Sequence, residues 1–145
     1  MFNSLFSLGA IEDARVVDVF AGSGALGIEA LSRGAAHCTF VESDRRALEA
    51  LRENLETLGF GDQSVVVAGD GAIALRQVSD VDLVLLDPPY EFDGWDALLS
   101  SIHDAVVVIE SDREVGLPEE WETHRARRYG TTVVTLATAG SASRP

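Results

Sequence analysis

The stretch Arg15-Val16-Val17-Asp18-Val19-Phe20-Ala21-Gly22-Ser23-Gly24-Ala25-Leu26-Gly27 decides how this chain is read. Its valines and Phe20 read as a strand, which stops at Ala21-Gly22-Ser23-Gly24. Residues 26–33 read as a short helix ending at Gly34. Gly22, Gly24 and Gly27 therefore satisfy G-x-G-x-x-G in the context that pattern requires, after a strand and opening a helix. Glycines let the backbone approach a ligand, and a helix start offers unpaired N–H groups. Glu42 lies 18 residues after Gly24, at the end of the next apolar run. A carboxylate there can accept two hydrogen bonds from ribose hydroxyls. Loop and acid together point to a nucleoside-type cofactor; the bland alternative is a tight turn with a capping acid.

Working outward, further apolar runs repeat the pattern. Residues 39–42 read as a second strand with Cys38 inside it, 64–68 as a third, 82–87 as a fourth and 105–109 as a fifth. The fourth is almost continuously apolar, as parallel strands buried on both faces are. Helical patterns separate them at 45–58, 72–78 and 95–103. In the first of these, Leu48, Leu51, Leu55 and Leu58 share a face, Ser43 or Asp44 can cap the start, and Gly59 the end. Such alternation means a mostly parallel sheet with helices on both faces. The ending differs: residues 122–129, Gly130 and 131–136 read as a hairpin, so one late strand runs antiparallel. Residues 1–6 read as a piece of helix without a start signal, and 141–145 as a polar tail. The expectation is one α/β domain over residues 1–145.

Composition bounds the rest. At 145 residues there is room for one core and not two domains. No apolar run reaches the roughly 18 residues of a membrane span, and no signal-peptide pattern opens the chain. Cys38 is the single cysteine, which excludes an internal disulfide or a cysteine-rich zinc site; it reads as core. His37, His103 and His124 have no ligand spacing. A cytoplasmic protein without a metal is expected. The charge is −13, with 24 acids against 11 bases, every one of them arginine. Such a surface repels polyanions at long range.

Two further features carry chemistry. Asp18, in the strand just before the loop, is unhelpful beside a pyrophosphate but useful near a cationic amino acid, such as the methionine part of S-adenosylmethionine. Asp87-Pro88-Pro89-Tyr90 follows the fourth strand, beside the glycine loop at the sheet's switch point. Two prolines fix the backbone and remove two donors. What remains is a rigid turn of acceptors next to an aromatic ring, suited to a planar exocyclic amine. The amine donates to Asp87 and to a carbonyl near Pro88, and its lone pair is steered toward a sulfonium methyl. Tyr90 stacks on the base. Phe92 and Trp95 can wall the base site, though Trp95 also reads as core. Catalysis would be by positioning and electrostatics.

Residues 18–24 resemble motif I of the class I methyltransferases, and Asp87-Pro88-Pro89-Tyr90 resembles the N/D-P-P-Y/F signature of amino-group methyltransferases. The run 18–35, then 41–44, 86–90, 109–111 and 116–118, resembles over nearly the whole chain the bacterial 16S rRNA guanine-N2 methyltransferases, the RsmD family. That resemblance implies a Rossmann-like fold with seven strands, the last pair forming the hairpin. It implies S-adenosylmethionine as donor, S-adenosylhomocysteine as product, and the guanine at position 966 of small-subunit rRNA as target, methylated in an assembled or assembling subunit. It implies cofactor contacts at Asp18, Phe20, Ala21, Gly22, Ser23, Gly24, Glu42, Ser43, Asp70, Gly71, Ala72 and Asp87. The Asp70 carboxylate would accept from the adenine amino group, unless it is simply a helix cap. Catalysis would fall to Asp87, Pro88, Pro89 and Tyr90, and base binding to Tyr90 and Phe92. A monomer is expected.

Family members begin with a basic, glycine-rich segment before a helix ending like Met1-Phe2-Asn3-Ser4-Leu5. On that comparison the chain is missing the segment, and weak RNA binding with cofactor binding largely kept is expected. Arg125, Arg127 and Arg128 on the hairpin can touch phosphates, or simply guard an exposed strand edge. Glu110 and Asp112 follow the fifth strand, near the open end of the site, and have no expected role beyond surface charge. The residues leave alternatives open: the same chemistry on DNA adenine or cytosine or on a glutamine amide, a nicotinamide oxidoreductase, or a cofactor-binding core with little activity.

Overall fold

A computed structural model of the chain describes residues 9–141. The helix expected at residues 1–6 and most of the polar tail lie outside them. The alternating runs form β1 (Arg15–Val19), α1 (Ala25–Ser32), β2 (His37–Glu42), α2 (Arg45–Leu58), β3 (Ser64–Ala68), α3 (Gly71–Gln77), β4 (Leu83–Leu86), α4 (Trp95–Leu99), β5 (Val106–Ser111), β6 (Glu122–Tyr129) and β7 (Thr132–Thr138). The seven strands make one sheet in the order β3-β2-β1-β4-β5-β7-β6. The first five are parallel to one another; β7 runs antiparallel between β5 and β6.

This order positions the site. The chain starts at the centre with β1, winds outward to β3, then crosses back to lay β4 on the other side of β1. A crevice opens at the carboxyl ends where the winding reverses. The β1–β4 register, Val19 beside Leu86, brings Phe20 to Gly22 level with Asp87 and Pro88.

Two apolar cores flank the sheet. On one face α1 and α2 bring Leu31, Leu51 and Leu55 onto Phe40, Leu83 and Leu85. On the other, α3 and α4 bring Leu75, Leu98 and Leu99 onto Val17, Val84 and Leu86. Every β4 side chain is buried, which explains the unbroken apolar run. α2 is capped by Asp44, whose carboxylate accepts from Ala47 N–H at 2.9 Å, and ends at Gly59 (φ 77°).

Some boundaries differ from expectation. Leu58 is exposed, because it is the last residue of α2. α4 stops at Leu99 rather than 103. The Ser100 and Ser101 hydroxyls both donate to the Ala97 carbonyl, and Asp104 turns at φ 52°. β5 and β7 run on to Ser111 and Thr138, since residues 106–111 pair with residues 133–138 throughout. The hairpin turns at Gly130 (φ 63°) and carries a bulge between Thr123 and Arg125.

Gly27 is a packing requirement. A Cβ there would stand 2.4 Å from Phe40 Cε1 and 2.8 Å from Cys38 Sγ. Both side chains are fully buried, so neither can swing away. Gly27→Ala is therefore expected to cost roughly 1–3 kcal/mol and lower Tm by about 5–10 °C. A thermal melt matching the parent's would contradict this packing.

Candidate active site

The loop after β1 is built from backbone geometry. Phe20 leaves the strand in the left-handed region (φ 63°), a costly conformation for a bulky residue of the kind that clusters at functional sites. Gly22 (φ 58°) and Gly24 (φ 94°) follow, and Gly24 N–H closes the turn on the Ala21 carbonyl at 2.8 Å. A Cβ added at Gly22 would meet nothing within 4 Å, so this side of the loop is open to a ligand. The Phe20 ring packs edge-on against Phe92 (centroids 5.0 Å apart), and Phe92 against Trp95 (5.1 Å). This chain of rings ties the glycine loop to the segment after Asp87.

Two carboxylates brace the loop. Asp18 is 1% exposed and lies beneath it, accepting from Gly27 N–H at 2.9 Å. It thereby satisfies an N–H of the first turn of α1 that no helix carbonyl can reach. Glu42 accepts from Gly22 N–H at 2.8 Å on Oε1, and from Ser43 and Asp44 N–H at 2.9 and 2.8 Å on Oε2. Three of about four lone-pair positions are thus engaged. Oε1, with one N–H bound, keeps a position for a ribose hydroxyl. Asp70 is the N-cap of α3, accepting from Ile73 N–H at 3.0 Å, and its exposed carboxylate keeps its second oxygen. Gly71 and Ala72 begin that helix; a Cβ at Gly71 would strike Val19 Cγ1 at 2.5 Å.

At the end of β4, Pro88 is buried and Pro89 exposed. The Pro89 carbonyl accepts from Phe92 N–H at 2.9 Å. The Pro88 carbonyl has no hydrogen bond among the described residues and stays available. Tyr90 is 66% exposed. A cavity of about 260 Å³ opens here, lined by Asp87, Pro88, Pro89, Tyr90, Glu110, Ser111 and Thr132. Phe92 and Trp95, held in the ring stack, line a small adjoining pocket with Pro88, Pro89 and Tyr90. A larger cavity of about 470 Å³ lies toward the opposite end of the strands, between α3 and the segment after α4, and includes Arg76, Asp80 and His103. None of the expected site residues reaches it.

Two participants were not expected from the sequence. Glu110, expected as surface charge, is half-buried and lines the cavity with Asp87. Its place in the final β5 turn toward the crevice follows from strand alternation, which was legible but not followed. Asn54 of α2 donates its side-chain N–H to the Ser23 carbonyl at 2.9 Å, pinning the loop from outside. Nothing local in the sequence marks that contact, which spans 31 residues.

The electrostatics are one-sided. Asp18, Glu42, Asp87 and Glu110 gather at the carboxyl ends of neighbouring strands, and none is in an ion pair among the described residues. Burial pushes the Asp18 carboxyl up to about 7; the Gly27 N–H opposes this, while the charges of Asp87 and Glu42 add to it. Asp87 and Glu110 are also raised, each chiefly by burial. A cationic, ribose-bearing ligand fits this cradle: the open side of Gly22, the free position on Glu42 and the uncompensated carboxylates suit the sulfonium, ammonium and ribose of S-adenosylmethionine. Among the described residues no group of three His, Cys, Asp or Glu side chains is arranged to hold a metal ion, and no helix is long and apolar enough to cross a membrane.

Asp18 makes stability depend on pH. Its folded value lies above its unfolded one near 3.8, so between about pH 4 and 7 the native state holds a proton that the unfolded chain has released. Stability must fall as pH rises through that window. Asp18→Asn keeps an acceptor for Gly27 N–H and removes the charge. The Tm advantage of this variant over the parent is expected to be smallest at about pH 4, to grow up to about pH 7 and to level off above it. A constant difference across that range would show that Asp18 is not the titrating group.

Comparison with known proteins agrees with this geometry. A candidate rRNA methyltransferase of Bacillus subtilis (strain 168) is 39% identical over 139 residues, 86% of this chain and 76% of its own length. The ribosomal RNA small subunit methyltransferase D of Escherichia coli (strain K12) is 36% identical over 141 residues, 87% of this chain and 69% of its own length. A solved structure of a candidate methyltransferase from Escherichia coli superimposes with a TM-score of 0.85 at 34% identity, covering 97% of this chain and 82% of that one. The sheet order with its late antiparallel strand is that of the class I methyltransferases. The match over residues 1–138 settles membership: the chain belongs to the family described as Conserved hypothetical protein 95.

Proposed function

We propose that this single domain transfers a methyl group from S-adenosylmethionine to the exocyclic N2 amine of a guanine in 16S rRNA, within the small ribosomal subunit, leaving S-adenosylhomocysteine. It acts as a monomer in the cytoplasm, where subunits assemble. The observation that carries this reading is the adjacency of the Asp87-Pro88-Pro89-Tyr90 turn to the glycine loop across the β1–β4 register. Relatives named as small-subunit rRNA methyltransferases support the choice of RNA.

S-adenosylmethionine, when bound, supplies an electrophilic methyl on a sulfonium. The chain's own residues do the rest. Glu42, Asp70 and the loop backbone hold the nucleoside end. The carboxylate field of Asp18 and Asp87 favours the cationic end. Asp87 and the Pro88 carbonyl accept the two amine N–H groups and turn the nitrogen lone pair toward the methyl. Tyr90 stacks on the unstacked base. As the nitrogen–carbon bond forms and the carbon–sulfur bond breaks, one amine proton passes to the Asp87 carboxylate, whose raised pKa favours holding it, and then to water.

The test is transfer of labelled methyl to small subunits, naked rRNA and DNA, with the product nucleoside identified by mass spectrometry. N2-methylguanosine formed on small subunits is the expected result. Label in DNA bases, in protein glutamine or nowhere would overturn the substrate assignment.

A further inference from the structure

The outermost strand carries a cluster of positive charge. In a chain of charge −13, three of the 11 basic residues fall within four positions of β6: Arg125, Arg127 and Arg128. The strand is exposed along its whole length and sits at the sheet edge. Neither Arg127 nor Arg128 is in an ion pair among the described residues.

The register connects this strand to the candidate active site. Arg127 stands opposite Val134, and Val134 opposite Glu110. One step past the Leu86–Ile109 pair, Asp87 follows beside Glu110. A single cross-sheet row therefore runs Asp87, Glu110, Val134, Arg127. Arg127 is two strand spacings from Glu110, about 10 Å. Tyr129, 55% exposed, stands opposite Thr132, which lines the cavity. The cavity thus has one exposed tyrosine on its own wall, Tyr90, and a second, Tyr129, just beyond its rim.

Charge decides what can lie where. Phosphates are repelled from a cavity holding Asp87 and Glu110, so a nucleotide entering it must keep its backbone outside. About 10 Å away, near the Debye length at physiological salt, arginines are no longer cancelled by those acids. We propose that Arg127 and Tyr129, which strand alternation places on the same sheet face as Glu110, form the surface on which the single-stranded RNA flanking the target nucleotide docks, the arginine on a phosphate and Tyr129 stacked on a neighbouring unpaired base. This rests on the function proposed above and adds where the RNA backbone runs. Arginine planes and aromatic faces are how single-stranded RNA is held.

The competing explanations are that the arginines only keep the edge from pairing with another chain, or that the edge takes up a protein strand. Two variants of the full chain separate them, Arg127→Gln and Tyr129→Ala. The probe is a short fluorescein-labelled single-stranded RNA, read by anisotropy across a salt series starting low. Arg127→Gln should bind more weakly, and its slope of log K against log salt should be shallower by roughly 0.7, one single-strand contact. Tyr129→Ala should weaken binding roughly tenfold with the slope unchanged. Both should keep the parent's Tm and its affinity for S-adenosylhomocysteine. Variants with the parent's RNA affinity and slope overturn the proposal, as does self-association or loss of a protein contact as the sole change, or a parent that binds no RNA at the lowest salt. Methyl transfer by the parent is measured in parallel. A parent that methylates RNA while the variants bind equally well defeats this surface alone; a parent that methylates no RNA defeats the proposed function, and the binding data still decide the surface.

Discussion

Asp87→Ala is expected to lower kcat for methyl transfer at least ~100-fold while S-adenosylhomocysteine affinity falls by less than ~10-fold. The reason is geometric. Holding an amine nitrogen in line with a methyl donor is the larger part of such a reaction, and a misplacement of about 1 Å costs roughly 100-fold. Asp87 is the only side chain of the Asp87-Pro88-Pro89-Tyr90 turn that can accept an amine proton at the cavity. Without it the amine keeps the Pro88 carbonyl but loses its second anchor and its electrostatic support. The cofactor keeps Glu42, Asp70 and the loop. A second consequence follows from the charge cluster: Asp87 raises both Asp18 and Glu110, so the variant should also bring those groups toward their ordinary values. Single-turnover transfer of labelled methyl to small subunits, beside calorimetry with S-adenosylhomocysteine, reads both effects. Undiminished turnover would remove Asp87 from the chemistry.

Glu42→Ala should raise the Kd for S-adenosylhomocysteine roughly 10- to 100-fold. The carboxylate does two jobs. It offers one acceptor to a ribose hydroxyl, and it receives the N–H groups of Gly22, Ser43 and Asp44, tying the loop after β1 to the end of β2. Hydrogen bonds to a charged acceptor contribute about 1.5–3 kcal/mol each, so losing the ribose contact alone accounts for the lower bound. Loosening of the loop accounts for the rest. Glu42→Gln retains one carbonyl acceptor and should fall between the parent and Glu42→Ala. Parent-like affinity in Glu42→Ala would mean that the nucleoside does not lie against β2.

Most of this was legible before any coordinates, and the reasons are local. G-x-G-x-x-G after a valine-rich strand, an acid at the end of the next strand, and an unbroken apolar β4 are each short-range patterns. Strand order then follows from the rule that such units wind right-handed with a switch between β1 and β4. What escaped was long-range or conformational. The Asn54 contact to Ser23 joins residues far apart in sequence. Nothing in composition says that Asp18 would be sealed under the loop and held near neutral, because burial depends on how α1 packs on β1. That the Glu42 carboxylate also receives the N–H groups of Gly22, Ser43 and Asp44 depends on how the loop after β1 folds onto the end of β2. The ring contacts of Phe92 with Phe20 and Trp95, beside a small pocket that it lines with Pro88, Pro89 and Tyr90, are tertiary packing that no local pattern marks.

The most direct test of the whole account is a crystal structure of the chain with S-adenosylhomocysteine. The ligand is expected in the crevice between Gly22 and Asp87, with a ribose hydroxyl on Glu42 and its sulfur facing the cavity bounded by Pro88, Tyr90 and Glu110. Density for the ligand in the larger cavity near Arg76 and His103, or a ribose far from Glu42, would contradict it.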